Sequence, residues 1–339
     1  MYCCAECFGD RVLRKAIRDL SSQSGKCPYC DSETVPLLEP TALRYYFETL
    51  ISAYHPDPSG KLLAPLFREE WGIFKHSRMD DFRAKDLLAE ILDDHDIVRQ
   101  PFLPAPYAGA DWLGSWEKLR DELMYQNRFF PDVDIDLTFF EEILDGLMLE
   151  PYEVPDAWFR ARIQNQDTPF PVNQMGPPPR RIASHGRANP AGIPYLYLGS
   201  KPLTAISEIR PHTGEFVCVL DFKLPNDLHV IDLRHARASF SPFTFDDATR
   251  IGNVRNALPF LERLGDDLTT PVLPQAAAID YTPSQFLCEF IKKCGYEGVI
   301  YRSSVSDGIN LALFNPKRAA YGTDVIQYKV TRVSVEATA

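Results

Sequence analysis

The stretch from Gly186 to Asp221 carries Arg187 on a Gly/Pro-bent loop, then a strand, a short helix ending in Glu208–Arg210, and a second strand. A guanidinium and a carboxylate are thereby set beside a rigid strand–helix–strand frame. Such a frame can hold an anionic ligand and stabilise a cation formed on it. Arg160 upstream and Tyr301-Arg302-Ser303-Ser304 downstream extend the set to hydroxyls. A second constellation is made of sulfur. Cys4-x-x-Cys7 and Cys27-Pro-Tyr-Cys30 are two tight thiol pairs with nineteen residues between them. Each pair can chelate one tetrahedral ion from a turn, and two pairs close a four-sulfur zinc site. Such a site has no open position and is structural, not catalytic. Cys3 is an alternative ligand to Cys4 at this stage.

The bulk of the chain sets bounds on what these residues serve. At 339 residues it fits two or three domains. It carries 47 acidic and 36 basic side chains, net −11. That balance repels phosphate backbones on average, so no nucleic-acid partner is expected, while a local basic pocket is allowed. The opening MYCCAEC has no apolar core of a secretory signal, and no apolar run reaches bilayer length, so a cytoplasmic location and no membrane contact are expected. Cys218, Cys288 and Cys294 stand singly among apolar residues and read as buried small hydrophobes.

The elements that must position the chemistry fall into three stretches. Residues 1–38 read as knuckle, helix, knuckle, with Val12, Leu13, Ala16, Ile17 and Leu20 at helical spacing. Residues 39–150 read as a helical bundle. Apolar residues recur at helical intervals over 42–50, 82–92, 116–125 and 137–149, and prolines 56, 58, 101, 104, 106 and 131 act as breakers. Residues 151–333 mix strands, expected at 195–198, 215–222, 229–233, 298–302 and 325–331, with helices at 203–209, 257–264 and 283–294. For the last helix Thr282 is the expected N-cap, with Pro283 just inside and Gly295 after the end. Without strict alternation, the class is α+β. A Pro-rich run over 168–181 reads as a long functional loop. There is no dinucleotide-binding Gly motif, P-loop or zincin motif.

The third stretch resembles the RES domain family, named for an arginine, a glutamate and a serine. The resemblance is carried by WFRAR (158–162), GPPP (176–179), GRANPAGIPYLYL (186–198), TAISEIRP (204–211) and GVIYRSSVSDGINLALFNP (298–316), in the family's order. The first two stretches resemble the zinc-knuckle and HEPN-like helical region that precedes some RES domains. The resemblance implies an ADP-ribosyltransferase-like mixed sheet preceded by a small zinc-binding segment and a helical bundle. It implies an NAD-degrading hydrolase or phosphorylase acting as a toxin, with NAD as substrate and a cognate antitoxin as partner. It makes Arg160, Glu208 and Ser303 catalytic, with Arg162, Arg187, Tyr197, Tyr301 and Ser304 around the ligand. Arg162 is the alternative to Arg160, and Ser304 to Ser303.

The chemistry agrees with these residue types. Cleaving a nicotinamide–ribose bond expels a neutral ring, so no acid is needed and one carboxylate can steady the oxocarbenium-like ribose. Arginines grip pyrophosphate with paired hydrogen bonds. Tyr197 offers a flat face, and Ser303 an orienting hydroxyl. Glu208 sits at the unfavourable end of its helix dipole, which suits either a functional role or a salt bridge with Arg210. Two rivals share the pattern: an ADP-ribosyltransferase modifying a protein or nucleotide, and a non-catalytic regulatory module. The pairs Arg68/His76 and Arg83/His95 are spaced too widely for HEPN RNA cleavage, so the helices are expected to dock, dimerise (self-association into a homo-oligomer being left open) or regulate.

Overall fold

The computed structural model describes residues 1–106, 110–133, 135–273 and 275–334. In chain order the first elements are β1 (Cys3–Cys4), α1 (Arg11–Leu20), β2 (Gln23–Gly25), β3 (Val35–Leu38), α2 (Arg44–Ile51), β4 (Tyr54–Leu62), α3 (Leu63–Trp71), α4 (Asp81–Leu92) and β5 (Pro101–Pro104). Then come α5 (Trp112–Tyr125), α6 (Leu137–Leu147), β6 (Trp158–Ile163), β7 (Leu196–Gly199), α7 (Pro202–Glu208), β8 (Phe216–Lys223) and β9 (Val230–Asp232). The chain closes with α8 (Ala236–Ser239), α9 (Ala248–Thr269), α10 (Ala277–Asp280), α11 (Thr282–Lys293), β10 (Gly298–Arg302), β11 (Ile309–Leu313), β12 (Ala320–Tyr321) and β13 (Ile326–Lys329). Among the described residues no helix is long and apolar enough to cross a membrane.

Contacts divide the chain into two compact units, residues 1–113 with 237–261, and residues 114–236 with those from 262 onward. These bounds differ from a division at residues 38 and 150. The apolar faces of α5 and α6 find their partners late in the sequence. Phe140 stacks on Phe290 with ring centroids 5.0 Å apart, and Trp116 Nε1 donates to Asp267 Oδ2 at 2.8 Å. Periodicity shows that a helix has an apolar face, but not which distant strand or helix covers it.

In the first unit, β1, β3 and β2 form a small antiparallel sheet against which α1 packs. Asp10 starts α1 by accepting the Leu13 N–H at 3.0 Å. The rings of Phe8, Phe47 and Phe74 meet at centroid distances of 5.6–6.2 Å. The helices α2 and α4 lie where periodicity places them. An unexpected helix, α3, lies between them, and the expected helical bundle is interrupted by two strands. Pro56 and Pro58 lie in β4, and Pro101 and Pro104 in β5, which pairs with it antiparallel. Their missing N–H groups are tolerated at the edges of so short a ribbon.

The second unit is built on an eight-stranded mixed sheet ordered β12-β8-β6-β7-β11-β10-β9, with β13 also pairing β8. Every pairing is antiparallel except β9 with β10. One face buries Trp158, Leu196, Leu198, Leu220, Phe222, Ile300, Leu311 and Leu313. The other carries a smaller cluster in which Ala205 of α7 meets Ala161, Val217 and Val219. Besides the two-residue β12, two strands escape the periodicity reading, β6 (WFRARI) and β11 (INLAL), although both segments carry the RES resemblance. The first alternates through charged residues, and the second is a short apolar run that reads equally as buried helix. Thr282 is not an N-cap. Tyr281 holds that position in helical conformation after α10, and Thr282 Oγ1 turns back to Ala278 O.

Candidate functional site

The sulfur cluster lies wholly in the first unit. Cys4, Cys7, Cys27 and Cys30 are buried, and their Sγ atoms all lie within 4.8 Å of one another. Cys4 and Cys30 stand 3.4 Å apart, Cys7 and Cys27 3.4 Å, and Cys4 and Cys7 4.0 Å. Four thiolates bound at about 2.3 Å to one tetrahedral ion would be about 3.8 Å apart, so the set fits zinc. Cys3 stays out of the cluster although it is Cys4's neighbour on β1, because successive strand residues point to opposite faces. Burial pushes its thiol up to about 12. The second knuckle is anchored by Arg83, whose Nη1 donates to Tyr29 O at 2.8 Å and to Asp31 Oδ2 at 3.0 Å.

The sheet of the second unit brings most of the other candidates to one cavity of about 390 Å³. Its lining includes Arg160, Arg187, Tyr197, Glu208, Tyr301 and Ser304, together with His185, Arg210, Tyr281 and Asn310. Glu208 is the last residue of α7, and the helix is held tightly on the sheet. A Cβ on Gly199 would come within 2.7 Å of the Ala205 backbone nitrogen, and one on Gly308 within 2.0 Å of Thr204 Oγ1. Only hydrogen fits at both points. So placed, Glu208 accepts Ser303 Oγ at 2.7 Å and Asn310 Nδ2 at 2.6 Å, both on Oε1. Among the described residues Oε2 takes no hydrogen bond, and the side chain remains open to solvent. No Glu208–Arg210 ion pair accounts for the carboxylate.

Asn310 is the residue the sequence reading misses. It is 4% exposed on β11, between Gly199 of β7 and Tyr301 of β10. A buried amide inside an otherwise apolar strand was the available signal, since such a group needs a partner.

Arg160 projects from β6 and donates from Nη1 to Tyr197 O at 3.4 Å, while its Nε is buried with no hydrogen-bond partner among the described residues. Burial, reinforced by the charge of Arg162, lowers its guanidinium to about 10. Arg187 donates from Nη1 to Thr270 O at 2.7 Å and lies 5.3 Å over the Tyr281 ring. Among the described residues neither Arg160, Arg187 nor Arg210 pairs with a carboxylate. Three guanidinium groups thus face one carboxylate, a positive site within an acidic chain. Tyr197 donates to Asn189 Oδ1 at 2.7 Å and accepts the Ala188 N–H at 3.0 Å, which fixes the loop bearing Arg187. Burial pushes both the Tyr197 and Tyr301 hydroxyls up, so both stay protonated.

Two candidates stand apart from the cavity wall. Arg162 is turned to the 168–181 loop, donating to Gln174 O and lying 4.1 Å over the Phe170 ring. Ser304 lines the cavity, whereas Ser303 reaches it only through its hydrogen bond to Glu208.

The RES domain family model matches residues 157–333, more than half of the chain. No curated protein matches it. Among solved structures, a chain of the M. tuberculosis MbcT–MbcA toxin–antitoxin complex is similar at 14% identity and a TM-score of 0.31, covering 57% of this chain and 94% of that one. With a mixed sheet and a family match over residues 157–333, the chain belongs to the RES domain family.

Proposed function

We propose that the cavity binds NAD and that the protein cleaves the nicotinamide–ribose bond, passing ADP-ribose to water or phosphate. One observation carries the reading. Glu208 is held through a single oxygen by Ser303 and Asn310, in a cavity with three arginines that have no carboxylate partner among the described residues. The C1–N bond breaks with its electron pair going to the ring nitrogen, so nicotinamide leaves neutral and needs no acid. Glu208 Oε2 is free to draw on the ribose hydroxyls as positive charge grows at C1. Arg160 and Arg187 grip the pyrophosphate. Water adds at C1 and gives up a proton to solvent, or phosphate adds in its place.

NAD loss would poison the cell that makes the enzyme, so a toxin or defence role restrained by an antitoxin belongs to the same proposal. So do an ADP-ribosyltransferase-like descent of the sheet and a HEPN-like origin of the helices in residues 39–150. Purified protein incubated with NAD, with and without phosphate, tests the reaction. Nicotinamide should appear in step with ADP-ribose or its 1-phosphate, and Glu208→Gln should slow release about a hundred- to a thousandfold. Label retained on a macromolecular acceptor would make it a transferase instead. Turnover that survives Glu208→Gln would remove the carboxylate from the mechanism.

A further inference from the structure

A second cavity of about 390 Å³ adjoins the first, and His185 lines both. Its character is different. Phe129 and Phe286 supply flat apolar faces, and Gln285 and Glu289 supply polar edges. Phe129 lies on the loop after α5, outside the segment matched by the family, whereas Phe286, Gln285 and Glu289 lie within it. Phe129 is 83% exposed and makes no ring contact among the described residues. Glu289 accepts the Tyr195 hydroxyl on Oε1 at 3.1 Å, which leaves Oε2 for another donor. The neck between the cavities is held firmly, because Gln285 Nε2 donates to Gly186 O at 2.8 Å. Arg187, the next residue, lines the first cavity and has no carboxylate partner among the described residues.

We propose that this second cavity seats the nucleobase at the far end of the dinucleotide, a placement that rests on the NAD reading of the first. The pyrophosphate crosses at the His185–Arg187 turn, where a guanidinium can meet it. The base stacks on Phe129, and Glu289 accepts its exocyclic amino group. Stacking a base on an aromatic ring is worth enough for its loss to be measurable.

The test uses AMP, NAD and nicotinamide mononucleotide, which lacks the adenosine half. Phe129 is exposed, so Phe129→Ala should leave the fold intact. It should weaken AMP binding, measured by calorimetry, about tenfold, and raise KM for NAD by a similar factor at unchanged kcat. Kinetics on nicotinamide mononucleotide should not move, and Phe129→Trp should restore AMP binding. Wild-type protein that fails to bind AMP overturns the proposal. So does a Phe129→Ala change that leaves AMP binding untouched or impairs both substrates equally. AMP binding that depends on Phe129 supports the seat even if NAD is not cleaved, in which case the catalytic reading alone falls.

Discussion

At the residue scale, the site turns on two donors sharing one oxygen of Glu208. Removing Asn310 leaves Ser303 alone to hold the carboxylate, and the side chain gains rotational freedom. Asn310→Ala should lower kcat for NAD about ten- to a hundredfold with a smaller change in KM, since a positioning defect is felt mostly in the transition state. Arg160 gives a pH dependence of definite sign. Its guanidinium is lowered to about 10, so it is fully charged at neutral pH and loses its proton as pH rises through that value. Affinity for ADP-ribose, followed by calorimetry, should be flat from pH 7 to 9 and fall above 10. Arg160→Lys should keep part of that affinity at pH 7 but not the paired hydrogen bonds of the fork.

At the scale of elements, the N-terminal knuckles share the first unit's core through Phe8, and their four clustered thiols are placed to hold a metal. Mass spectrometry of the native protein should find about one zinc per chain. Cys27→Ser should lose most of it and lower the thermal midpoint, whereas Cys3→Ser should keep the metal. Much of this scale was legible in the sequence, because thiol spacing and helical periodicity are local signals. The helices α1, α2, α4, α5, α6, α7 and α11 lie close to where spacing puts them. Strand β11, although paired with the neighbouring β10, is a short apolar run that reads equally as buried helix, and β6 was not legible as a strand because its partners β7 and β8 lie tens of residues away. Asn310 was missed for the same reason, as its significance lies in the carboxylate that α7 delivers to it. Ser304 facing the cavity while Ser303 holds Glu208 is likewise a matter of strand direction at the end of β10, which two adjacent serines do not reveal.

At the scale of the whole molecule, helix-rich and strand-rich stretches of sequence do not mark the compact units. A chain begun at residue 151 would lack α5 and α6. It would expose the side of Phe290 that stacks on Phe140, and leave Asp267 without the Trp116 donor. Loss of that many buried aromatic contacts should make such a chain insoluble or lower its thermal midpoint by more than about 10 °C relative to the full chain. Calorimetry on both forms measures the difference. A truncated form as stable as the full chain would show that the two helices are dispensable to the sheet.

The backbone just after Glu208 has its own consequence. Arg210 adopts φ +48°, a left-handed turn that side chains other than glycine resist, and does so where its guanidinium lines the cavity. Replacement by glycine would relax the turn while discharging one of the three cations. Selection for heat resistance alone would therefore favour a glycine there, giving a sturdier protein that would hold an anionic ligand less well.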